Sequence, residues 1–247
     1  MKLYGRNSVL ERIRINPRSV RNIAIEKGQD LREFEHLCRL KNIPLRYLSE
    51  REIDKITRNI RCQGIVAEVE DFQYSDFEDI LEQPKENLPR PYVQGRGLPT
   101  VLFLDNLNDP QNLGSILRSA AGFGGFAVVL PKHDSVEITE TVLRIACGGE
   151  NYVSVSQVTN LSWALEAAKK QGYWIAGAVT EDGEDLTRVN FHFPLGLVIG
   201  SEAKGIRQGL LKHLDFRLTI PMPAKGLSFN VAVAAAIFCY EASRQRQ

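Results

Sequence analysis

Asn112 and Arg118 stand six residues apart in the stretch Leu104-Asp-Asn-Leu-Asn-Asp-Pro-Gln-Asn-Leu-Gly-Ser-Ile-Leu-Arg-Ser-Ala-Ala121. An apolar run gives way there to an Asn/Asp/Pro loop, and the loop opens directly into helical spacing around Gly114. Polar groups where a strand passes into a helix mark the place where α/β folds hold ligands. Two later segments share this character, Gly200-Ser-Glu-Ala-Lys-Gly205 and Lys225-Gly-Leu-Ser-Phe-Asn230. Together they predict one composite pocket whose polar groups are Asn112, Arg118, Glu202, Ser228 and Asn230. The set offers amide, guanidinium, carboxylate and hydroxyl chemistry, with no histidine among them. Each member also has a plainer reading. Asn112 suits a helix cap, Arg118 a solvated helix face, Glu202 the first turn of a helix, and Ser228 and Asn230 a turn. Their joint occurrence favours a site.

The elements that must carry these groups follow from periodicity. In the C-terminal part, short apolar strands are predicted at 100–104, 127–130, 173–179, 195–199 and 216–220. Helices are predicted between and after them at 113–123, 139–146, 161–171, 206–211 and 231–244. That alternation predicts a mostly parallel α/β sheet covered on both faces. Gly122-Phe-Gly-Gly125 reads as a helix C-cap, and no Gly-x-Gly-x-x-Gly follows the first strand, which argues against a dinucleotide site. Gly200 is expected to let backbone approach a ligand closely.

The N-terminal part reads as a smaller α/β unit. Strands are predicted at 20–25, 45–48 and 64–69, with a helix from about 31 to 40 capped by Asp30. A second helix begins at Ser49, whose spacing to Glu52 is a capping box. Between the two units, residues 73–98 are acidic and then rich in proline and glycine, which predicts an extended, flexible linker. The expected division is therefore 1–72, 73–98 and 99–247.

Net charge is only +1, but it is segregated. Residues 1–61 hold fifteen Lys and Arg against eight Asp and Glu, whereas 62–86 hold eight acids and one lysine. An arginine-rich block suits a polyanion such as RNA, and equally suits a solvated surface. No apolar run approaches the ~20 residues of a membrane span, and no signal core opens the chain, so a cytoplasmic location is expected. Cys38, Cys62, Cys147 and Cys239 lack metal-ligand spacing, so reduced thiols and no metal are expected. His36, His133, His192 and His213 fall in no motif.

Three segments resemble the ordered motifs of the SpoU (TrmH-like) RNA ribose 2′-O-methyltransferases. They are Asn112-Leu-Gly-Ser-Ile-Leu-Arg118-Ser-Ala, Gly200-Ser-Glu202-Ala-Lys-Gly205-Ile, and Pro221-Met-Pro with Ser228-Phe-Asn230-Val-Ala-Val. Tyr4-Gly-Arg-Asn-Ser-Val and Gln63-Gly-Ile-Val-Ala resemble the ends of that family's L30e-like RNA-binding extension. Ala146-Cys-Gly-Gly-Glu150, Val158-Thr-Asn-Leu161 and the tail from Tyr240 resemble most the branch that methylates a guanosine ribose of 23S rRNA. The chain departs from the family's usual residues at Cys62, Ala203, Lys204, Phe229 and Ala232.

The resemblance implies a trefoil-knotted parallel-sheet methyltransferase domain (SPOUT-like) with a small N-terminal α/β L30e-like domain. It implies S-adenosylmethionine as methyl donor, RNA (most of all rRNA) as partner, and a homodimer formed through the C-terminal domain. By position, Ala178, Gly200, Ile220, Met222, Ser228 and Phe229 would bind the cofactor. Arg118, Asn112, Glu202, Ser228 and Asn230 would serve catalysis. Arg118 would grip the phosphate beside the target ribose and polarise its hydroxyl, since a guanidinium holds its proton too firmly to serve well as a base. Glu202 would orient Arg118 or Asn112. Two alternatives stay open at this point: a tRNA ribose as substrate, and a non-catalytic rRNA-binding or ribosome-assembly protein of the same fold.

Overall fold

A computed structural model describes residues 1–58, 60–82, 100–202, 204–224 and 226–246. The N-terminal unit is a four-stranded sheet in the order β1-β4-β2-β3, built from β1 (Lys2–Tyr4), β2 (Val20–Glu26), β3 (Leu45–Leu48) and β4 (Ile65–Val69). Only β2 and β3 run parallel; β4 pairs antiparallel with both β1 and β2. Helices α1 (Arg6–Ile15), α2 (Arg32–Lys41) and α3 (Glu50–Thr57) cover it. The capping box forms at α3, where the Glu52 carboxylate accepts from Ser49 N at 2.8 Å. Asp30 does not cap α2. The helix begins one residue later than that cap requires, after Leu31, and the Asp30 carboxylate instead pairs with Arg32 at 2.9 Å.

The acidic segment after β4 is not extended throughout. Residues Phe77–Leu81 form α4, whose Phe77, Ile80 and Leu81 are buried. Phe77 packs edge-on against Phe103, with ring centroids 6.3 Å apart. These three apolar side chains join the core beside β5, so the first part of the expected linker belongs to the core. Its remainder, 83–98, lies outside the described residues.

The larger sheet has seven strands, all pairing parallel, in the order β7-β6-β5-β10-β8-β11-β9. They are β5 (Thr100–Leu104), β6 (Phe126–Pro131), β7 (Ser154–Val158), β8 (Trp174–Ala178), β9 (Glu184–Asp185), β10 (Leu195–Ile199) and β11 (Phe216–Thr219). Helices α5 (Pro110–Phe123), α6 (Glu140–Ala146), α7 (Leu161–Lys170), α8 (Gln208–Leu211) and α9 (Val231–Arg246) complete the unit. Strands β5, β8 and β10 have burial patterns as expected of interior strands, with β5 and β10 wholly buried.

Register positions the site. Leu104, Ile199, Ala178 and Leu218 stand opposite one another in a row across β5, β10, β8 and β11. The loops leaving these four strands therefore emerge side by side at the carboxyl edge of the sheet. A continuous apolar cluster runs from Leu3 and Ile23 of the small sheet to Leu102 and Leu117 of the large unit, so the two units share one core.

Candidate functional site

The site starts from a helix end. Asp109 caps α5 by accepting from Gln111 N at 2.8 Å, and Pro110 occupies the first turn, where a missing N–H costs nothing. Asn112 is thus not the cap; it lies within the first turn and is buried. Two positions on, Gly114 seats α5 on α6, since a Cβ there would stand 2.7 Å from Ile145 Cβ and 2.9 Å from the Val142 carbonyl.

The three expected motifs meet at one carboxylate. Glu202 Oε1 accepts from Asn112 Nδ2 at 3.2 Å, from Asn230 Nδ2 at 2.5 Å and from Val231 N at 3.4 Å. Asn230 Nδ2 also reaches Asn112 Oδ1 at 3.0 Å, while its own Oδ1 caps α9 by accepting from Ala232 N at 2.9 Å. Glu202 therefore does sit at a helix N-terminus, but that of α9, a helix beginning 29 residues later. A negative charge is stabilised there.

The loop holding Glu202 is tightly folded. Ser201 N donates to Gly205 O at 3.2 Å and Gly205 N donates to Ser201 O at 2.8 Å. A Cβ at Gly200 would overlap Gly205 C and Ile206 N. Glycine is required at 200 because the loop closes on itself, and the same residue lines the neighbouring cavity. Asp105, fully buried at the end of β5, holds the loop's far side by accepting from Arg207 N at 2.8 Å and Arg207 Nε at 2.6 Å. Neither Asp105 nor Arg207 stands out in the sequence, although Asp105 directly follows the first strand of the large unit.

Beside this network lies a cavity of about 830 Å³. All six residues expected to bind a cofactor line it: Ala178, Gly200, Ile220, Met222, Ser228 and Phe229. Its walls also include apolar Ile199 and Phe238 and polar Thr180 and Ser201. Thr219 lines it too, with a buried hydroxyl that has no hydrogen-bond partner among the described residues. Mixed walls, loop backbone from three strands and an unsatisfied hydroxyl fit a nucleoside-bearing ligand with a polar tail. Glu202 reaches the cavity, so a positive centre bound there would face a carboxylate.

Arg118 stands apart from this group. Six residues beyond Asn112, it leaves α5 about 120° around the helix and about 9 Å further along it. Its side chain is exposed and its Nη1 lies 3.6 Å from Cys147 Sγ. Glu202 orients Asn112 and does not contact Arg118. Elsewhere, Ala232 and Ala235 face the core, while Ala203 and Lys225 lie outside the described residues. Burial pushes the Cys38 thiol up to about 11 and the Cys239 thiol up to about 12, so neither is a nucleophile near neutrality. No group of His, Cys, Asp and Glu able to hold a metal occurs among the described residues, and none of their helices is long and apolar enough to cross a membrane.

Comparison with known proteins bears on this geometry. Residues 99–240 match the SpoU rRNA Methylase family, and residues 2–75 match the RNA 2′-O ribose methyltransferase substrate-binding family. A protein of Bacillus subtilis (strain 168) assigned to the TrmH family of tRNA/rRNA methyltransferases is 33% identical over 247 residues, covering 99% of this chain and 95% of its own. A TrmH-family RNA methyltransferase structure from Porphyromonas gingivalis superposes with a TM-score of 0.72 at 27% identity, covering 99% of this chain and 89% of that one. An AdoMet-bound rRNA methyltransferase from Sinorhizobium meliloti shares the fold, with a TM-score of 0.77 at 19% identity over all of this chain and 87% of its own. With two matched units in order and three motifs gathered on one carboxylate, the chain belongs to the SpoU rRNA methylase family.

Proposed function

We propose that this protein transfers a methyl group from S-adenosylmethionine to a ribose 2′-hydroxyl of RNA, with a guanosine of 23S rRNA as the target. The observation that carries the reading is the meeting of Asn112 and Asn230 on Glu202, which itself lines a cavity walled by all six expected cofactor residues. The rRNA target is supported by the N-terminal unit with its arginine excess and by the Ala146-Cys-Gly-Gly-Glu150 motif. We assign residues 1–72 to RNA binding and 99–247 to the knotted methyltransferase domain, with the chain from Ile220 onward closing the knot. A cytoplasmic location goes with an RNA substrate.

The bound cofactor would supply an electrophilic methyl group on a sulfonium. The chain's own residues do the rest. Ala178, Gly200, Ile220, Met222, Ser228 and Phe229 enclose the cofactor, and the apolar walls keep water from the methyl. The Glu202 network fixes the relative positions of three loops. Arg118 forks onto the RNA phosphate beside the ribose and polarises the hydroxyl, whose proton passes to that phosphate or to water. The exposed Phe123 and Tyr240 rings, 5.9 Å apart on α5 and α9, together with Val233, form the apolar face on which two copies would pair.

Mapping 2′-O-methyl positions in total RNA with and without the gene tests the activity. Loss of one methyl on a 23S rRNA guanosine is expected; loss on a tRNA would correct the substrate, and no change with no calorimetric S-adenosylmethionine binding would sink the enzyme reading. Arg118→Lys is expected to lower kcat about a hundred-fold, because lysine cannot present a planar fork. A near-normal rate would argue against this role of the guanidinium.

A further inference from the structure

The turn that bears Cys147 is squeezed between the two units of the molecule. On one side Gly148, at φ +94°, faces α1 so closely that a Cβ would lie 2.5 Å from Glu11 Cβ. On the other, a Cβ at Gly149 would lie 2.9 Å from Arg118 Cα and 3.1 Å from the Leu117 carbonyl. The turn thus has α1 of the N-terminal unit against one side and the backbone of Arg118 against the other. Its Cys147, itself in the left-handed region at φ 52°, is the partner of the Arg118 guanidinium.

The turn is anchored by a charge pair that crosses between the units. Arg12 Nη2 donates to Glu150 Oε1 at 3.1 Å, and their side chains are 7% and 0% exposed. Asn151 Nδ2 donates to the same oxygen at 3.1 Å and to Gly148 O at 2.9 Å. The pairing is incomplete, for Arg12 Nε and Glu150 Oε2 are buried with no hydrogen-bond partner among the described residues. A buried pair satisfied on one side only contributes little net stability, because desolvation offsets much of its attraction. Geometry is what it determines: the height of the turn against α5.

We propose that Arg12 and Glu150 are positioning residues for Arg118, so that seating the N-terminal unit on the turn sets the place of the guanidinium. The proposal rests on the reading of Arg118 given above. An RNA held by the N-terminal unit would then bear on the catalytic arginine through about five residues, Cys147 to Asn151, rather than through the long connection between the units.

Glu150→Gln and Arg12→Lys test this in the full chain, with melting curves to establish folding. Each is expected to lower kcat about ten-fold or more, as small misplacements of a reacting group do, while S-adenosylmethionine affinity by calorimetry is unchanged. The second readout needs no turnover. Cys147 is part-exposed whereas Cys38, Cys62 and Cys239 are buried, so its labelling rate by an aromatic disulfide reports the turn, and it should rise several-fold in both variants. Folded variants with wild-type kcat and labelling would overturn the proposal. Glu140→Ala removes the α6 acceptors of Lys2 N and the Tyr4 hydroxyl without touching the turn; it should cost stability alone, and an equal fall in kcat would overturn the special role of the turn. If instead Arg118→Ala keeps full activity, it is the reading of Arg118 that fails.

Discussion

Glu202 Oε1 collects three donors from two other segments, which makes this one oxygen the joint of the site. The residue types at 112, 202 and 230 were legible as a set in the sequence, but their mutual satisfaction was not. Each amide is spent on a neighbour, so the three hold loop geometry, and the proposed role at the reacting hydroxyl falls to Arg118. Gly200 shows the same limit. Its glycine was visible, yet the reason for it lies in Gly205 and Ile206, whose backbone fills the space a Cβ would need. Backbone cannot rotate out of the way. Gly200→Ala is therefore expected to lose S-adenosylmethionine binding by calorimetry and to destabilise the fold by about 1–3 kcal/mol, the range for overpacking a tight site. Unchanged affinity would show that the loop has slack.

At the scale of elements, apolar periodicity placed the central strands and several of the helices of the large unit. Strands β5 and β10 and helices α5, α6 and α9 fall where the pattern places them, with ends shifted by up to three residues. Helix α1 escaped because its buried positions are Ser8, Val9, Arg12 and Ile13. The spacing is helical, but two of the four are polar, and the Arg12 partner lies 138 residues away. Strand β7, Ser154–Val158, carries Ser and Gln at the sheet edge, where an apolar run is not required. Helix α4 escaped for its brevity within an acidic stretch. Its Phe77 meets both Phe103 and Trp163, so Phe77→Ala is expected to lower unfolding free energy by about 3 kcal/mol in urea titrations. S-adenosylmethionine affinity should survive, since no α4 residue lines the cavity. A change below ~1 kcal/mol would mean that α4 merely rests on the surface.

On the whole-molecule scale, the junction of the two units is polar at its rim. Tyr4 donates to Glu140 Oε2 at 3.0 Å, and Lys2 N donates to Glu140 Oε1 at 2.6 Å. Burial first, then the hydrogen bond and charge of Glu140, push the Tyr4 phenol from 10.0 up to about 12. The folded state thus keeps a proton that the unfolded chain releases at lower pH. Its contribution is complete below pH 10 and is lost as pH rises toward 12. Urea titrations at pH 9 and 11 should show wild type losing more stability over that interval than Tyr4→Phe. Equal losses would mean that Tyr4 titrates as a free phenol.

By itself the sequence determined the class of fold, the order of the two matched units and the family, because these follow from local periodicity, composition and ordered motifs. Tertiary structure alone decided that Asn112, Glu202 and Asn230 share one network, that Gly200 answers to its own loop, and that Arg118 rests against a turn anchored by Arg12. The first rests on strand register, the last on the docking of two units, and Gly200 on the closure of a local loop. None of these leaves a periodic trace along the chain.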